Sequence, residues 1–145
     1  MTEVAFHFGA PDRLAYTCRL LRKGTATGAR LQVRASAATL RALDAALWAL
    51  GPTDFISHCD ASAPDSVRVR SSVLLVDADA AVQPDFPVMV NLAADVPSGF
   101  EQFKRVIEIV STDEQERSLA RLRWKHYTER GYTITRHDLK NRADS

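Results

Sequence analysis

Residues 72–92 read SVLLVDADAAVQPDFPVMVNL, and this stretch decides the fold class. It holds two apolar segments, VLLV at 73–76 and VMV at 88–90, joined by a connection rich in Asp and Pro. Strands that are apolar along both faces are typical of parallel sheets that helices cover on both sides. The stretch therefore predicts two buried, central strands of such a sheet.

The segments on either side alternate between strand and helix patterns. Further strands are predicted at 4–8, 30–35 and 105–110, and helices at 11–24, 36–51 and 112–131. Ser36 and Thr112 are the predicted N-caps, while Gly24, Gly51 and Gly131 are the predicted helix ends. Residues 54–66 have no clear period and predict a loop, and a short helix is expected after Pro97.

This alternation predicts an α/β fold: one Rossmann-like, three-layer domain with a mostly parallel sheet and helices on both faces. The domain is expected to span residues 1–135, followed by a polar C-terminal tail at 136–145. A length of 145 residues agrees with one domain.

Composition excludes several classes of protein. The formal net charge is +1, far from the strongly basic balance of proteins that bind nucleic acid phosphates over a wide surface. Apolar runs fall well short of the ~20 residues of a membrane span. The N-terminus MTEVAFHFGA lacks the basic start of a secretory signal, and two cysteines predict reduced thiols. We expect a cytoplasmic protein without membrane contact.

No catalytic, cofactor or metal site is predicted. The first strand-to-helix turn, FGAPDR at 8–13, has one glycine and lacks the glycine-rich phosphate-binding patterns. Asp77 and Asp79 follow a buried strand as in some phosphoryl-transferring hydrolases, but a solvated acidic turn is the favoured interpretation. His58 and Cys59 are adjacent in a predicted loop and have no second pair of zinc ligands. The pattern indicates a binding protein and not an enzyme.

Trp48 allows two interpretations. A large aromatic residue on an apolar helix is usually buried in the core. Leu40, Leu43 and Leu47 already form an apolar stripe, however, and Trp48 lies about 100° away from Leu47 on the helix. Trp48 is therefore either a core residue or, with Phe55, part of a surface that docks a partner.

The helix over 112–131 carries aromatic residues among its cations. At about 100° per residue, Arg121 and Lys125 flank Trp124, a geometry that can take an apolar side chain and a carboxylate together. Arg123 points into the apolar arc and is predicted to pair with a carboxylate in a structural role. That predicted apolar arc comprises Leu119, Ala120, Leu122, His126 and Tyr127.

Three stretches together resemble the chi subunit family of bacterial DNA polymerase III. The first has Leu43, Asp44, Leu47, Trp48, Phe55 and His58. The second, residues 85–110, has Asn91, Leu92, Pro97, Phe100, Phe103, Val106, Glu108 and Val110. The third has Arg121, Trp124, Lys125 and Gly131.

The resemblance implies a Rossmann-like domain that binds no nucleotide and has no catalytic site of its own. It implies an accessory subunit that captures the acidic C-terminal tail of single-stranded DNA-binding protein, which ends in Phe with a free carboxylate. The tail-binding positions of the family fall here on Val110, Arg121, Trp124 and Lys125. Trp48 and Phe55 match the surface that docks the psi subunit of the clamp loader, or a substitute, so that DNA contact is indirect.

The residues also leave a second class of function open. The same aromatic and basic helix face could bind single-stranded nucleic acid directly, because bases stack on aromatic rings and cations contact phosphates.

Overall fold

The computed structural model describes residues 1–50, 54–80, 83 and 85–139. Its strands are β1 Glu3–Ala10, β2 Leu31–Ala35, β3 His58–Asp60, β4 Val73–Asp77, β5 Val88–Asn91, β6 Arg105–Ser111 and β7 Ile134–Asp138. Its α-helices are α1 Arg13–Ala26, α2 Ala37–Trp48, α3 Asp65–Arg70 and α4 Glu114–Glu129, and a 3₁₀ turn covers Phe100–Gln102. All described strand pairs are parallel, in the order β3-β4-β2-β5-β6-β1-β7.

Helices cover both faces of this sheet, so the predicted three-layer α/β architecture is confirmed. Leu21 of α1 and Leu43 and Leu47 of α2 pack on one face, against side chains such as Val33. On the opposite face, α4 and the 3₁₀ turn pack against a second apolar cluster built on β1, β5 and β6. The predicted buried strands around residues 72–92 are β4 and β5, which flank β2.

Strand β2 lies inside the sheet between β4 and β5, with all five of its residues buried. Its alternation of apolar and polar residues is typical of a strand with one wet face, so the burial of Gln32 and Arg34 differs from that pattern. Their donor groups are satisfied locally: the Gln32 amide nitrogen donates to the carbonyls of Gln83 and Phe86, and Arg34 donates to Asn91 and Asp95. Buried polar groups of this kind are tolerated because they are hydrogen-bonded.

Two helix boundaries differ from the prediction. Helix α1 continues past Gly24 to Ala26, and the residue with the left-handed backbone is Gly28. Gly24 lies inside the helix at a point where Leu31 packs closely. A Cβ at this position would stand 3.3 Å from a methyl carbon of Leu31. The N-cap of α4 is Asp113, whose carboxylate accepts from the Glu116 backbone N–H, and not Thr112.

Other predicted ends agree with the structure. Ser36 caps α2 as predicted, and Gly131 follows α4 in the left-handed conformation. The predicted end of α2 at Gly51 lies outside the described residues. In the structure α2 ends at Trp48, and its C-cap is Ala49.

The predicted loop over 54–66 is wrong in two places. It contains the short strand β3, which pairs with β4, and the start of α3. Three strand residues and a six-residue helix are too short to show a period, so only the neighbouring strand reveals them. The structure also shows that Cys18 and Cys59 are free and half-buried.

A further strand follows α4. β7 pairs with β1 from Ile134 to Asp138, which continues the sheet beyond the predicted domain boundary after residue 135. The polar tail predicted from 136 thus begins within this strand, and residues 140–145 lie outside the described part.

Candidate functional site

The connections of the sheet change direction between β6 and β1. The chain leaves β1 through α1 toward β2, and it leaves β6 through α4 toward β7 on the opposite side and face. In open parallel sheets, ligands bind outside the carboxyl ends of the strands at such a point. A cavity of about 470 Å³ opens here, lined by Phe8, Gly9, Thr112, Arg117, Arg121, Trp124, Arg136 and Asp138. We call it the groove.

Aromatic rings form one wall of the groove. The ring centroids of Phe8 and Trp124 lie 6.0 Å apart, and the Trp124 indole also packs on Phe6 at 5.1 Å. Phe6 is fully buried, whereas Trp124 is half-buried. The indole therefore rests on a rigid base and leaves part of its surface for an apolar ligand group.

Three arginines surround this wall. Arg121 donates to a Glu114 oxygen at 3.0 Å, and Arg117 lies 3.6 Å from the other oxygen of the same carboxylate. The hydrogen bond and the charge of Arg121 lower the pKa of Glu114, which keeps this carboxylate ionised. Arg136 reaches the groove from β7, with its guanidinium carbon 4.9 Å from the centroid of the Phe8 ring.

The groove contains two of the four predicted tail-binding residues. Arg121 and Trp124 line it. Val110 is fully buried in the apolar cluster that supports Trp124, so it lies behind the wall. Lys125 is exposed outside the described lining, with its ammonium 3.9 Å from Glu129.

Sequence reasoning did not include Phe8, Arg117 or Arg136 in the site. Arg117 lies one helical turn before Arg121 on α4, so helical spacing contains a signal for it. Phe8 and Arg136 lie on β1 and β7, and they meet because these strands pair in register from Val4 and Ile134 onward. No local pattern links residues so distant in the chain.

A buried polar network fixes α4 to the sheet. Arg123 Nε donates to Glu108 Oε1 at 2.9 Å, Tyr127 donates to Glu108 Oε2 at 2.7 Å, and the Asn91 amide donates to the same carboxylate. Arg123 Nη1 also donates to the carbonyl of Ala94. The predicted structural pairing of Arg123 with a carboxylate is confirmed.

Burial dominates the electrostatics of this network. Burial raises the pKa of Glu108, and the Arg123 charge and the donated hydrogen bonds oppose that rise. Burial and the neighbouring Glu108 charge raise the pKa of Tyr127, which keeps the phenol protonated as a donor. The network therefore holds α4, and with it Trp124, at a fixed height over the sheet.

One residue of the predicted apolar arc is misplaced. Leu122 is 65% exposed, whereas its neighbour Arg123 is buried. The helix rotates Arg123 toward the sheet because Glu108 lies beneath it, and Leu122 consequently faces solvent.

A second exposed apolar surface lies at the end of α2. Trp48 is 62% exposed and Phe55 is 55% exposed, and their ring centroids are 5.7 Å apart. The alternative that Trp48 is a core residue is therefore wrong. His58 supports this pair, with its ring 4.9 Å from Trp48 and its two nitrogens bonded to the Ile56 carbonyl and Asp44.

The remaining candidate residues have structural contacts. Asp77 accepts from the backbone N–H of Asp79, as in an acidic turn. The described residues contain no group of three side chains able to hold a metal ion, and no described helix is long and apolar enough to cross a membrane.

Comparison with known proteins places the chain in a family. The family model for the DNA polymerase III chi subunit, HolC, matches residues 1–135. The chain belongs to the DNA polymerase III chi subunit family. Over 148 aligned residues it is 29% identical to the DNA polymerase III subunit chi of Pseudomonas aeruginosa, covering 96% of this chain and 98% of that protein. Chi is an accessory subunit of a polymerase complex, so this chain is assigned to DNA replication.

The match covers the Trp48 surface and the groove except for Arg136 and Asp138. The groove residues from Phe8 to Trp124 and the exposed pair Trp48 and Phe55 lie within residues 1–135. Arg136 is the first residue beyond the matched range.

Proposed function

We propose that this chain is a non-catalytic adaptor, which joins the clamp loader to the acidic C-terminal tail of single-stranded DNA-binding protein. One observation carries the proposal: an indole wall with arginines beside it, in a cavity at the sheet's change of direction. The membership of the chi family supports the same partner, because the family resemblance implies capture of this tail.

The chemistry of the groove suits a peptide that ends in an aromatic residue. In our proposal the terminal ring packs against Trp124, with Val110 as the support behind it, and Arg121 binds the terminal carboxylate. Arginine suits this role because its planar guanidinium donates two parallel hydrogen bonds to a carboxylate. Lys125 attracts the acidic residues further up the peptide through its charge.

Binding of the carboxylate requires a rearrangement of Arg121. Its guanidinium donates to Glu114 and to the Ser118 hydroxyl. These side chains are exposed, and exposed ion pairs contribute little to stability, so a peptide carboxylate can displace Glu114 at small cost.

The proposal is tested by fluorescence anisotropy of a labelled acidic peptide that ends in Ile-Pro-Phe. We expect a dissociation constant at the micromolar level, on the order of −8 kcal/mol. Amidation of the peptide's C-terminus removes the charge that Arg121 binds, and we expect it to weaken binding by at least tenfold. Arg121→Lys should weaken binding as well, since an ammonium cannot make the two-pronged contact.

Equal binding of the free-acid and amidated peptides would contradict the carboxylate contact. The next candidate is then single-stranded DNA, because Phe8 and Trp124 can stack on bases while the groove arginines contact phosphates. A labelled oligonucleotide in the same assay tests this second ligand. If DNA and peptide bind the same groove, unlabelled peptide should displace the labelled oligonucleotide.

We further propose that Trp48 and Phe55 dock the psi subunit of the clamp loader or a substitute. Their side chains are the largest exposed aromatic pair among the described residues. Aromatic residues at such positions often supply most of the binding free energy of an interface. The groove lies on α4 and the Trp48 surface at the end of α2, so the two partners occupy different elements.

A further inference from the structure

We infer that Arg136 is a second anion-binding residue of the groove, which receives a side-chain carboxylate of the acidic peptide while Arg121 receives its terminal carboxylate. This inference rests on the proposed function and adds a contact on β7, whereas Arg121 lies on α4.

The position of Arg136 carries the first step. It lies on β7 and lines the same cavity as Arg121, which lies on α4. Phe8 contacts both sides, since its ring packs on Trp124 and the Arg136 guanidinium lies over it. The cavity therefore holds an arginine from α4 and an arginine from β7 together with the two aromatic rings, so one ligand in it can reach both charges.

The balance of charge carries the second step. Arg117 and Arg121 share the carboxylate of Glu114. Within the described part of the chain, no carboxylate oxygen is found within 4.0 Å of an Arg136 nitrogen, although Asp138 lines the same cavity. Arg136 is also held in place over Phe8, which reduces the side-chain freedom that it loses when it binds a carboxylate.

The third step concerns the direction of the peptide. Lys125 lies outside the described lining and is close to Glu129, so its attraction acts at a distance. A direct contact for an upstream carboxylate is available at Arg136. A peptide with its terminus at Arg121 therefore leaves the groove toward β7, the edge strand of the sheet.

The contact lies at the C-terminal limit of the family match. Arg136 lies beyond the residues that match the family model, which end at 135. The geometry thus assigns part of the peptide affinity to a residue outside the matched range.

The test combines variants of Arg136 with peptides that differ in one charge. Arg136→Gln keeps a planar polar group on a shorter side chain and removes the charge, and Arg136→Lys keeps the charge and removes the planar guanidinium. Arg130→Gln is the matched control, because it removes the same charge from an exposed arginine at the far end of α4. The peptides are the acidic free acid, its amidated form, and a form with upstream Asp residues replaced by Asn.

We expect Arg136→Gln to weaken binding of the acidic peptide about fivefold, as for a charge contact that is partly open to solvent. The loss should disappear with the Asn-substituted peptide and persist with the amidated one, because Arg136 does not contact the terminal carboxylate. Arg136→Lys should lie between wild type and Arg136→Gln, and Arg130→Gln should bind like wild type. Thermal unfolding of each variant verifies that the fold is retained.

Two results overturn the inference: wild-type affinity in Arg136→Gln, or a loss of the same size with the Asn-substituted peptide. If Arg121→Lys weakens binding under the same conditions, only the role of Arg136 fails and the proposed function stands. If the wild-type protein does not bind the free-acid peptide, both fail together.

Discussion

Replacing Arg123 by Met tests whether the network under α4 holds an ionised carboxylate. Met is similar in length and fills much of the same space, but it removes the charge that pairs with Glu108 at 2.9 Å. Glu108 is fully buried, so its carboxylate then lacks a counter-charge in a place that water does not reach. Removing one partner of a buried ion pair costs about 3–5 kcal/mol.

That cost is a large fraction of the total stability of a domain, which is typically about 5–15 kcal/mol. For a chain of this size, about 1 kcal/mol shifts the midpoint of thermal unfolding by roughly 2–4 °C, so we expect a fall on the order of 10–15 °C. Differential scanning calorimetry at pH 7 measures this fall. Urea unfolding followed by circular dichroism measures the free energy of unfolding independently.

The pH dependence of Arg123→Met gives a sharper result. Loss of Arg123 removes the main cause that opposes the effect of burial, so the pKa of Glu108 rises further above its unfolded value. The folded state then binds a proton more readily than the unfolded state, and stability increases as the pH falls. We expect the deficit relative to wild type to shrink between pH 7 and pH 5.

A double variant provides the control. Glu108→Gln removes the buried charge, so Arg123→Met combined with Glu108→Gln should recover a substantial part of the lost stability at pH 7, because no unpaired charge remains. The reasoning would be refuted by a loss below about 1 kcal/mol in the single variant, or by a deficit that is the same at pH 5 and pH 7.

Two further predictions concern surfaces. Trp48→Ala should change the free energy of unfolding by less than about 1 kcal/mol, because the side chain is exposed, whereas Leu43→Ala in the same helix should cost about 2–5 kcal/mol. The Trp48 variant should also fail to bind a psi-like partner in a pull-down. A large loss of stability in that variant would contradict the surface role of Trp48. ATP or NAD should leave the unfolding temperature unchanged, because the turn after β1 has no glycine-rich phosphate loop, and a shift of several degrees would show a nucleotide site.

The fold could be predicted from the sequence where a pattern is local and long. The apolar runs of β4 and β5 specify a parallel sheet, and Ser36 and Gly131 mark helix ends through hydrogen bonding and backbone conformation. Strand β3 could not be predicted, because its three residues become a strand only through pairing with β4.

The residues of the candidate site could likewise be predicted only where they lie close together in the sequence. Arg121 and Trp124 lie on one helix, so their angular spacing predicts that they are neighbours. Phe8 and Arg136 come from strands at opposite ends of the described chain, and their contact depends on the register of β1 against β7. Leu122 faces solvent instead of lying in the predicted apolar arc, because Arg123 turns toward Glu108, a residue that helix periodicity cannot take into account.

The neighbours of β1 impose an order on biosynthesis. Glu3 pairs with Arg105, and Val4 pairs with Ile134, so β1, which ends at Ala10, has no sheet partner until the chain reaches Arg105. At about 5–20 residues per second, a ribosome needs roughly 5–20 s to make that length of chain. During this interval the nascent β1, with its aromatic side chains Phe6 and Phe8, must remain without its final neighbours. The groove, whose wall includes Phe8, can therefore form only after β7 has emerged.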